Sequence, residues 1–255
     1  MNNEINRNLI NKGRMLSAKY PFLRPYLILT KKLFFSKPNF LKRVTRSSGI
    51  PVIDKFIRTY FARNIQEKAY FLGVKAIKCP LDLWIYQEII FDIKPDFIIE
   101  TGTAHGGSAL FLATICDVIK NGTIISIDVE TKRLETKHDR IRFLTGSSVD
   151  KEVVNQVKNM IRSSMDKVMV ILDSDHRKNH VLKEMEIYGK LVSKGSYLIV
   201  EDTSVNGHPI APEHGEGPME AVQEFLKMRD EFVIDKEREK FLMTFNPNGY
   251  LKKIK

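Results

Sequence analysis

Acidic side chains in this chain fall at the ends of apolar runs, where strands would deliver them to one edge of a sheet. LDSDH closes one run with Asp173 and Asp175, and VED closes the next with Glu201 and Asp202. Four carboxylates at neighbouring strand ends repel one another unless a cation or protons intervene. An oxygen-only set suits Mg²⁺, or Ca²⁺ or Mn²⁺, better than zinc. Asp173, Asp175, Glu201 and Asp202 are therefore the candidate metal ligands. If the strand persists through LDSDH, two-residue alternation puts Asp173 and Asp175 on the same side. A metal there would bind vicinal oxygens of an acceptor and lower the pKa of its hydroxyl, and a carboxylate or imidazole would remove the proton. Asp175 is the first candidate for that base and His176 the alternative. Beside this stands a purely structural reading, in which Asp173 and Asp202 cap the next helix or loop and Glu201 pairs with Arg177 or Lys178.

A second group lies in ETGTAHGGS, where Gly102, Gly106 and Gly107 fall between a strand and a helix. Missing side chains there let backbone amides and a helix N-terminus approach a ligand. The spacing G-x-x-x-G-G departs from the dinucleotide pattern G-x-G-x-x-G, although Asp128 stands 21 residues past Gly107, where a ribose-binding acid is expected. Glu100 precedes the loop with no Lys or Arg between it and Ser108. A pyrophosphate would meet a carboxylate, so a positively charged ligand fits better.

These residues require a scaffold of alternating elements. DFIIET, TIISIDV, IRFLTGSS, KVMVILDSD and SYLIVED read as strands, and GGSALFLATICDVIK as the helix after the first. Val181, Leu182, Met185, Tyr188, Leu191 and Val192 predict a helix stopped by Gly195; Val222, Phe225 and Leu226 mark another. EFVIDKE and KFLMTFNPNGYLKKI read as two closing strands, paired antiparallel. Apolar strands between helices imply an α/β fold, a mainly parallel sheet covered on both faces, with ligands at the carboxyl ends of the strands. The segment 204–218 is long for such a connection and reads as an acceptor-binding lid, with His208 and His214 as candidate substrate contacts. Trp84 and Tyr86 either shield the ligand or simply pack. Cys79 and Cys116 read as small hydrophobes.

The 255 residues suffice for one large domain, or one domain and an appendage; 43% are hydrophobic and 28% charged. Apolar stretches are strand-sized, short of the roughly 20 residues of a membrane span. The first twenty residues lack a signal-peptide core, and two cysteines build no disulfide framework, so a cytoplasmic setting is expected. The net charge of +10 is uneven: residues 1–60 hold thirteen Lys/Arg against Glu4 and Asp54. Aromatics lie between those cations, and LRPYLILTKKLFF could form an interfacial helix. Residues 1–75 read as a basic helical N-terminal extension whose first 60 residues could meet an anionic membrane surface, or pack with their lysines solvated; residues 76–255 are the main domain. No nucleic-acid motif accompanies the charge.

Together, ETGTAHGGS, ISIDVE, LDSDH, YLIVED and FNPNGYLKK resemble the class I S-adenosylmethionine-dependent methyltransferases, in the cephalosporin hydroxylase-like branch, over about residues 80–253. The resemblance implies a Rossmann-like seven-stranded sheet with its last strand antiparallel. It implies that Glu100, Thr101, Gly102, Thr103, Ala104, Gly106, Gly107 and Ser108 hold the methionine portion and Asp128 the ribose, with Gly146, Ser147 and Ser148 beside the adenine; Asp173 also borders the cofactor. Relative to metal-dependent catechol and sugar O-methyltransferases, Asp173, Glu201 and Asp202 resemble the metal triad, with Asp175 as the alternative ligand. The expected activity is O-methylation of a hydroxyl on a sugar, glycan precursor or natural product, assisted by Mg²⁺. The alternatives are a peripheral membrane or polyanion-binding protein with a non-catalytic nucleotide fold, or a hydroxylase using His105, His176 and His180. Whether the chain forms a homo-oligomer is left open.

Overall fold

The computed structural model describes residues 49–255. Residues 1–48, with the LRPYLILTKKLFF segment and eleven of the thirteen Lys/Arg of the first 60 residues, lie outside the described residues. Helix α1 (Pro51–Ala62) opens the described chain, followed by a small hairpin of β1 (Tyr70–Phe71) and β2 (Val74–Lys75) and by helix α2 (Pro80–Ile93). The alternation then becomes regular: β3 (Phe97–Thr101), α3 (Gly107–Ile119), β4 (Thr123–Asp128), β5 (Ile141–Thr145), α4 (Lys151–Met160), β6 (Val168–Leu172), α5 (Lys178–Tyr188) and β7 (Tyr197–Val200). Helix α6 (Pro218–Met228), β8 (Phe232–Ile234) and β9 (Tyr250–Lys253) complete it.

The sheet has seven strands in the order β5-β4-β3-β6-β7-β9-β8; β9 runs antiparallel to both neighbours and the other pairings are parallel. Side-chain alternation divides the core between the two faces. Ile99, Val170, Leu172 and Val200 meet Val157 of α4, Met185 of α5 and Phe225 of α6. Ile98, Met169, Ile171 and Ile199 meet Ile89 of α2 and Leu112 of α3. The chain leaves β3 for β4 on one side and returns to β6 on the other, which opens a crevice at the carboxyl ends of β3 and β6.

The seven-stranded α/β architecture and the antiparallel closing pair follow the expectation. Two boundaries differ. Helix α5 ends at Tyr188, so Leu191 and Val192 lie beyond it, and Gly195 serves the following turn at φ 80°. Of KFLMTFNPNGYLKKI, only Tyr250–Lys253 is strand: Pro247 has no N–H, and the amides of Phe245, Asn246 and Asn248 donate to the side chains of Asp82, Thr244 and Glu239. Helix α1 packs Ile57 against Val205 and Ile210, and Phe61 stacks on Phe245 at 4.6 Å between centroids.

Asp82 fastens α2 to this closing segment. It is 3% exposed, its Oδ2 accepts the Phe245 N–H at 2.9 Å, and its Oδ1 accepts the Tyr250 hydroxyl at 2.8 Å. Burial pushes its carboxyl up to about 6 against those hydrogen bonds. A raised acid pKa means the folded chain holds the proton more tightly, so this stability is full below the unfolded value near 3.9 and is lost as pH rises through 6. The shift is worth about 3 kcal/mol. Between about pH 4 and 6, the unfolding free energy of the wild type should therefore fall relative to that of Asp82→Asn; parallel pH profiles would refute this.

Candidate active site

A cleft of about 510 Å³ opens at the carboxyl ends of β3, β4, β5 and β6. Its floor is the turn from β3 to α3, where Gly102 stands at φ 89° and a Cβ would lie 1.9 Å from the Asp173 carbonyl oxygen. Only glycine lets β3 and β6 approach this closely before their loops diverge. Asp128, at the end of β4, fixes the turn: its Oδ2 accepts the amides of Thr103 and Ala104, both at 2.9 Å, and its Oδ1 accepts that of Glu130 at 3.0 Å.

Ten of the residues expected at the site line this cleft: Gly102, Ala104, Asp128, Gly146, Ser147, Ser148, Asp173, Asp175, His176 and Asp202. Others lie behind it. Glu100 is wholly buried and accepts a hydrogen bond from Ser126 Oγ at 2.7 Å, and Thr103 bonds the same hydroxyl at 2.8 Å. Thr101 continues β3 into the interior; Gly106, Gly107 and Ser108 open α3 without reaching the cleft wall. His208 and His214 are outside the lining: His208 Nε2 bonds Glu220 Oε1 at 2.8 Å, and His214 is exposed. Tyr86 is buried, and Trp84 is exposed, bonding Glu88.

At the acidic end, β6 stops at Leu172, so strand alternation no longer governs LDSDH. Asp173 turns toward His176, whose Nε2 lies 3.2 Å from Asp173 Oδ1 and 3.3 Å from Asp202 Oδ2. These three side chains each present one ligand atom within 4.8 Å of the others. Asp202 has φ 52°, a left-handed value that is uncommon outside glycine, and its amide donates to Asn246 Oδ1 at 3.0 Å. Burial works against the charge on His176, yet Asp202 and Asp173 outweigh it and raise its pKa to about 9.

Asp175 lines the cleft but engages Arg177 and not His176. It accepts the Arg177 backbone N–H and Nε, each at 2.9 Å, and hydrogen bonds from that guanidinium hold its carboxyl down at about 2. Glu201 points beneath the cleft, where Lys78 Nζ meets its Oε1 at 2.5 Å and also contacts Asp173 Oδ2. Burial opposes the Lys78 charge, but Asp173, Glu201 and Glu100 overcome it and raise the ammonium's pKa. The two pairings expected for Glu201 do not form among the described residues: Arg177 pairs with Asp175, and Lys178 with Glu216 and Glu224.

A family model described as Rhamnosyl O-methyltransferase/CmcI matches residues 63–254. The chain belongs to this family. The rhamnosyl O-methyltransferase of Mycobacterium tuberculosis is 36% identical over 206 residues, covering 78% of this chain and 84% of the relative. That of Mycobacterium leprae is 33% identical over 205 residues, covering 78% and 90%. A solved CmcI structure, in a Mg–SAM form, covers 74% of this chain and 78% of its own, with a TM-score of 0.58 and 19% identity, which establishes a common fold. The methyltransferase resemblance of the strand-end motifs is borne out by the family match.

Two members of the site carry no sequence signal of their own. Lys78 is one lysine among many, and only the tertiary structure brings it under β6 and β7. Asn246 sits in NPNG, which reads as a strand and turn; in the fold it anchors Asp202 and donates from Nδ2 to the Tyr86 hydroxyl at 2.9 Å.

Proposed function

We propose that this chain is an S-adenosylmethionine-dependent O-methyltransferase acting on a hydroxyl of a sugar, rhamnosyl among the candidates, with a divalent cation held by Asp173, His176 and Asp202. The observation that carries the reading is the cleft: a glycine-floored pocket at the switch point of the sheet, with acids at one end. Its volume lies within the roughly 300–1,000 Å³ of small-molecule sites. Asp128, Asp173, Asp175 and Asp202 line it against Arg177, which Asp175 already neutralises, and His176, whose charge Asp173 and Asp202 balance. A sulfonium is favoured in that field and a pyrophosphate repelled. The family relatives are named for rhamnosyl O-methylation, and one CmcI structure is described with Mg and SAM, which supports the same cofactors here.

Two carboxylates and an imidazole fit Mg²⁺ or Mn²⁺, and invert the two-histidine, one-carboxylate set that oxygenases use. A divalent ion bound there would make a neighbouring acceptor hydroxyl more acidic. Asp128 holds the Thr103 and Ala104 amides in place, so the turn is already shaped before a donor arrives. Asp202, fixed from behind by Asn246, and Asp173, fixed by Lys78, keep the acidic end in register with it. The Asp175 carboxyl, held near 2 by Arg177, is poorly matched to accept a proton near neutral pH and serves to hold the cleft rim. Methyl transfer is one in-line displacement, so this positioning and the electrostatic match carry most of the rate.

Calorimetry with S-adenosylmethionine and NAD, followed by transfer of labelled methyl to rhamnosides with and without chelator, tests the reading. Binding of the first alone, with turnover lost in chelator and restored by Mg²⁺, is expected. NAD binding without S-adenosylmethionine binding would overturn the cofactor, and full turnover in chelator would overturn the metal. Asp128→Ala frees two loop amides and should weaken donor binding by roughly 10–100-fold, about one charge-assisted hydrogen bond's worth; unchanged affinity in the same calorimetry would exclude that role. The anionic-membrane reading of residues 1–60 rests on their charge and interleaved aromatics. No described helix is long and apolar enough to cross a membrane.

A further inference from the structure

The segment 204–217 connects β7 to α6. Its outgoing arm begins just after Asp202, and Val205 and Ile210 in that arm pack on Ile57 of α1. Its returning arm lies along the cleft rim: the Glu216 carbonyl accepts the Lys178 N–H at 3.2 Å, and a Cβ on Gly217 would stand 3.1 Å from the His176 carbonyl oxygen. Between the arms, Glu213, His214, Gly215 and Glu216 are exposed. Glu220, in the first turn of α6, ties both arms together. Its Oε2 accepts the Gly217 N–H at 2.7 Å, while its Oε1 accepts Asn206 Nδ2 at 3.0 Å and lies 2.8 Å from His208 Nε2. The first bond caps the helix. The other two add nothing to the helix and hold the loop. Asn206 and Ala211 stand at φ 60° and 46°, values that persist where the surroundings fix them. Burial opposes the charge on Glu220, yet hydrogen bonds from Gly217, His208 and Asn206 outweigh it and hold its carboxyl below the usual carboxylate value.

We propose that Glu220 is a positioning residue for the acceptor: its carboxylate clamps the two arms, and the clamped loop forms the wall along which the sugar hydroxyl reaches the acidic end. The inference deepens the function proposed above and rests on its acceptor reading. Sheet order separates the loop from the donor. Gly102, Asp128 and Gly146 stand at the ends of β3, β4 and β5, whereas the loop springs from β7, across β6 from them. Without Glu220, Gly217, Asn206 and His208 lose a charged partner, and the loop opens more often. A sugar that needs the closed form then binds more weakly, in proportion to the time the loop spends open. His208 belongs to the clamp and acts on the acceptor through the shape of the loop.

The experiment uses the full chain, hydrogen exchange of peptides spanning 204–217, calorimetry with S-adenosylmethionine, and steady-state methyl transfer to methyl rhamnoside. Glu220→Ala should speed exchange in 204–217 and raise the acceptor KM, each by about tenfold, the scale of losing one hydrogen bond to a charged group. Both kcat and the donor Kd should stay within about threefold of wild type. The pair Asn206→Ala with His208→Ala keeps the Gly217 cap of α6, so it tests the clamp even where Glu220→Ala does not fold, and it should give the same two changes. Adding Glu220→Ala to the pair should raise KM little further, because the same bonds are already gone. Unchanged exchange in the pair overturns the clamp. Faster exchange with an unchanged KM overturns the loop as an acceptor wall. Donor affinity that falls in step with acceptor affinity also overturns the inference, since it makes Glu220 a residue of general stability. A wild type that binds the donor and methylates no rhamnoside refutes the acceptor reading itself, a result distinct from these three.

Discussion

Asp202→Ala should lower the rate of methyl transfer by about three orders of magnitude while leaving donor binding nearly intact, the scale expected when a group that stabilises developing charge is removed. Asp202, the second residue after β7, stands in a left-handed conformation, held there by its amide's hydrogen bond to Asn246 Oδ1, and its carboxylate lies 3.3 Å from His176. Such a conformation costs of order 1 kcal/mol or more for a residue with a side chain, and persists where the surroundings fix it. Alanine tolerates the backbone no better and brings no ligand, so the loss is chemical. Single-turnover transfer of labelled methyl, beside calorimetry of donor binding, separates the two effects. A variant that binds the donor and turns over within about tenfold of wild type would remove Asp202 from the metal site.

Gly102→Ala should cost more than 3 kcal/mol of stability, roughly 6–12 °C in Tm for a domain of this size, and should abolish donor binding in whatever folds. The new Cβ would stand 1.9 Å from the Asp173 carbonyl oxygen and 2.6 Å from its carbon. Neither atom can retreat, because the Asp173 amide donates to the Thr101 carbonyl at 2.9 Å and fixes the end of the β3–β6 pair. Gly195→Ala is the control: it shares the positive φ, at 80°, but meets nothing within 4 Å, so it should cost only about 1 kcal/mol. Thermal unfolding of both variants gives the comparison. Equal shifts would mean that backbone conformation, and not the close approach, makes Gly102 necessary.

The scaffold was legible because its signals are local. Runs such as TIISID and VMVIL are apolar at nearly every position, which a sheet covered on both faces accommodates, and the acids that close them mark the functional edge. Asp128, Asp173 and Asp202 were accordingly found in the cleft. Boundaries were less legible: Leu191 and Val192 keep helical spacing past Tyr188, since periodicity reports a buried face and not the hydrogen bonds that end a helix.

Which acids would share one point in space was not legible. Asp173 and Asp175 are two residues apart in sequence, and Glu201 and Asp202 are adjacent, yet Asp173 and Asp202 converge on His176 while Asp175 is paired with Arg177 and Glu201 with Lys78, which also touches Asp173. That division arises from Lys78, 95 residues before Asp173 and 123 before Glu201, and from Arg177 beside Asp175. The amino-acid sequence by itself determined the layers of this protein, the sheet edge where the cleft lies and the glycine turn at its floor, because these depend on neighbours along the chain. Only the tertiary structure decided which carboxylates point at one another and which are neutralised from beneath. Charge pairing depends on distance in space, and a lysine's reach is set by the packing of the whole sheet.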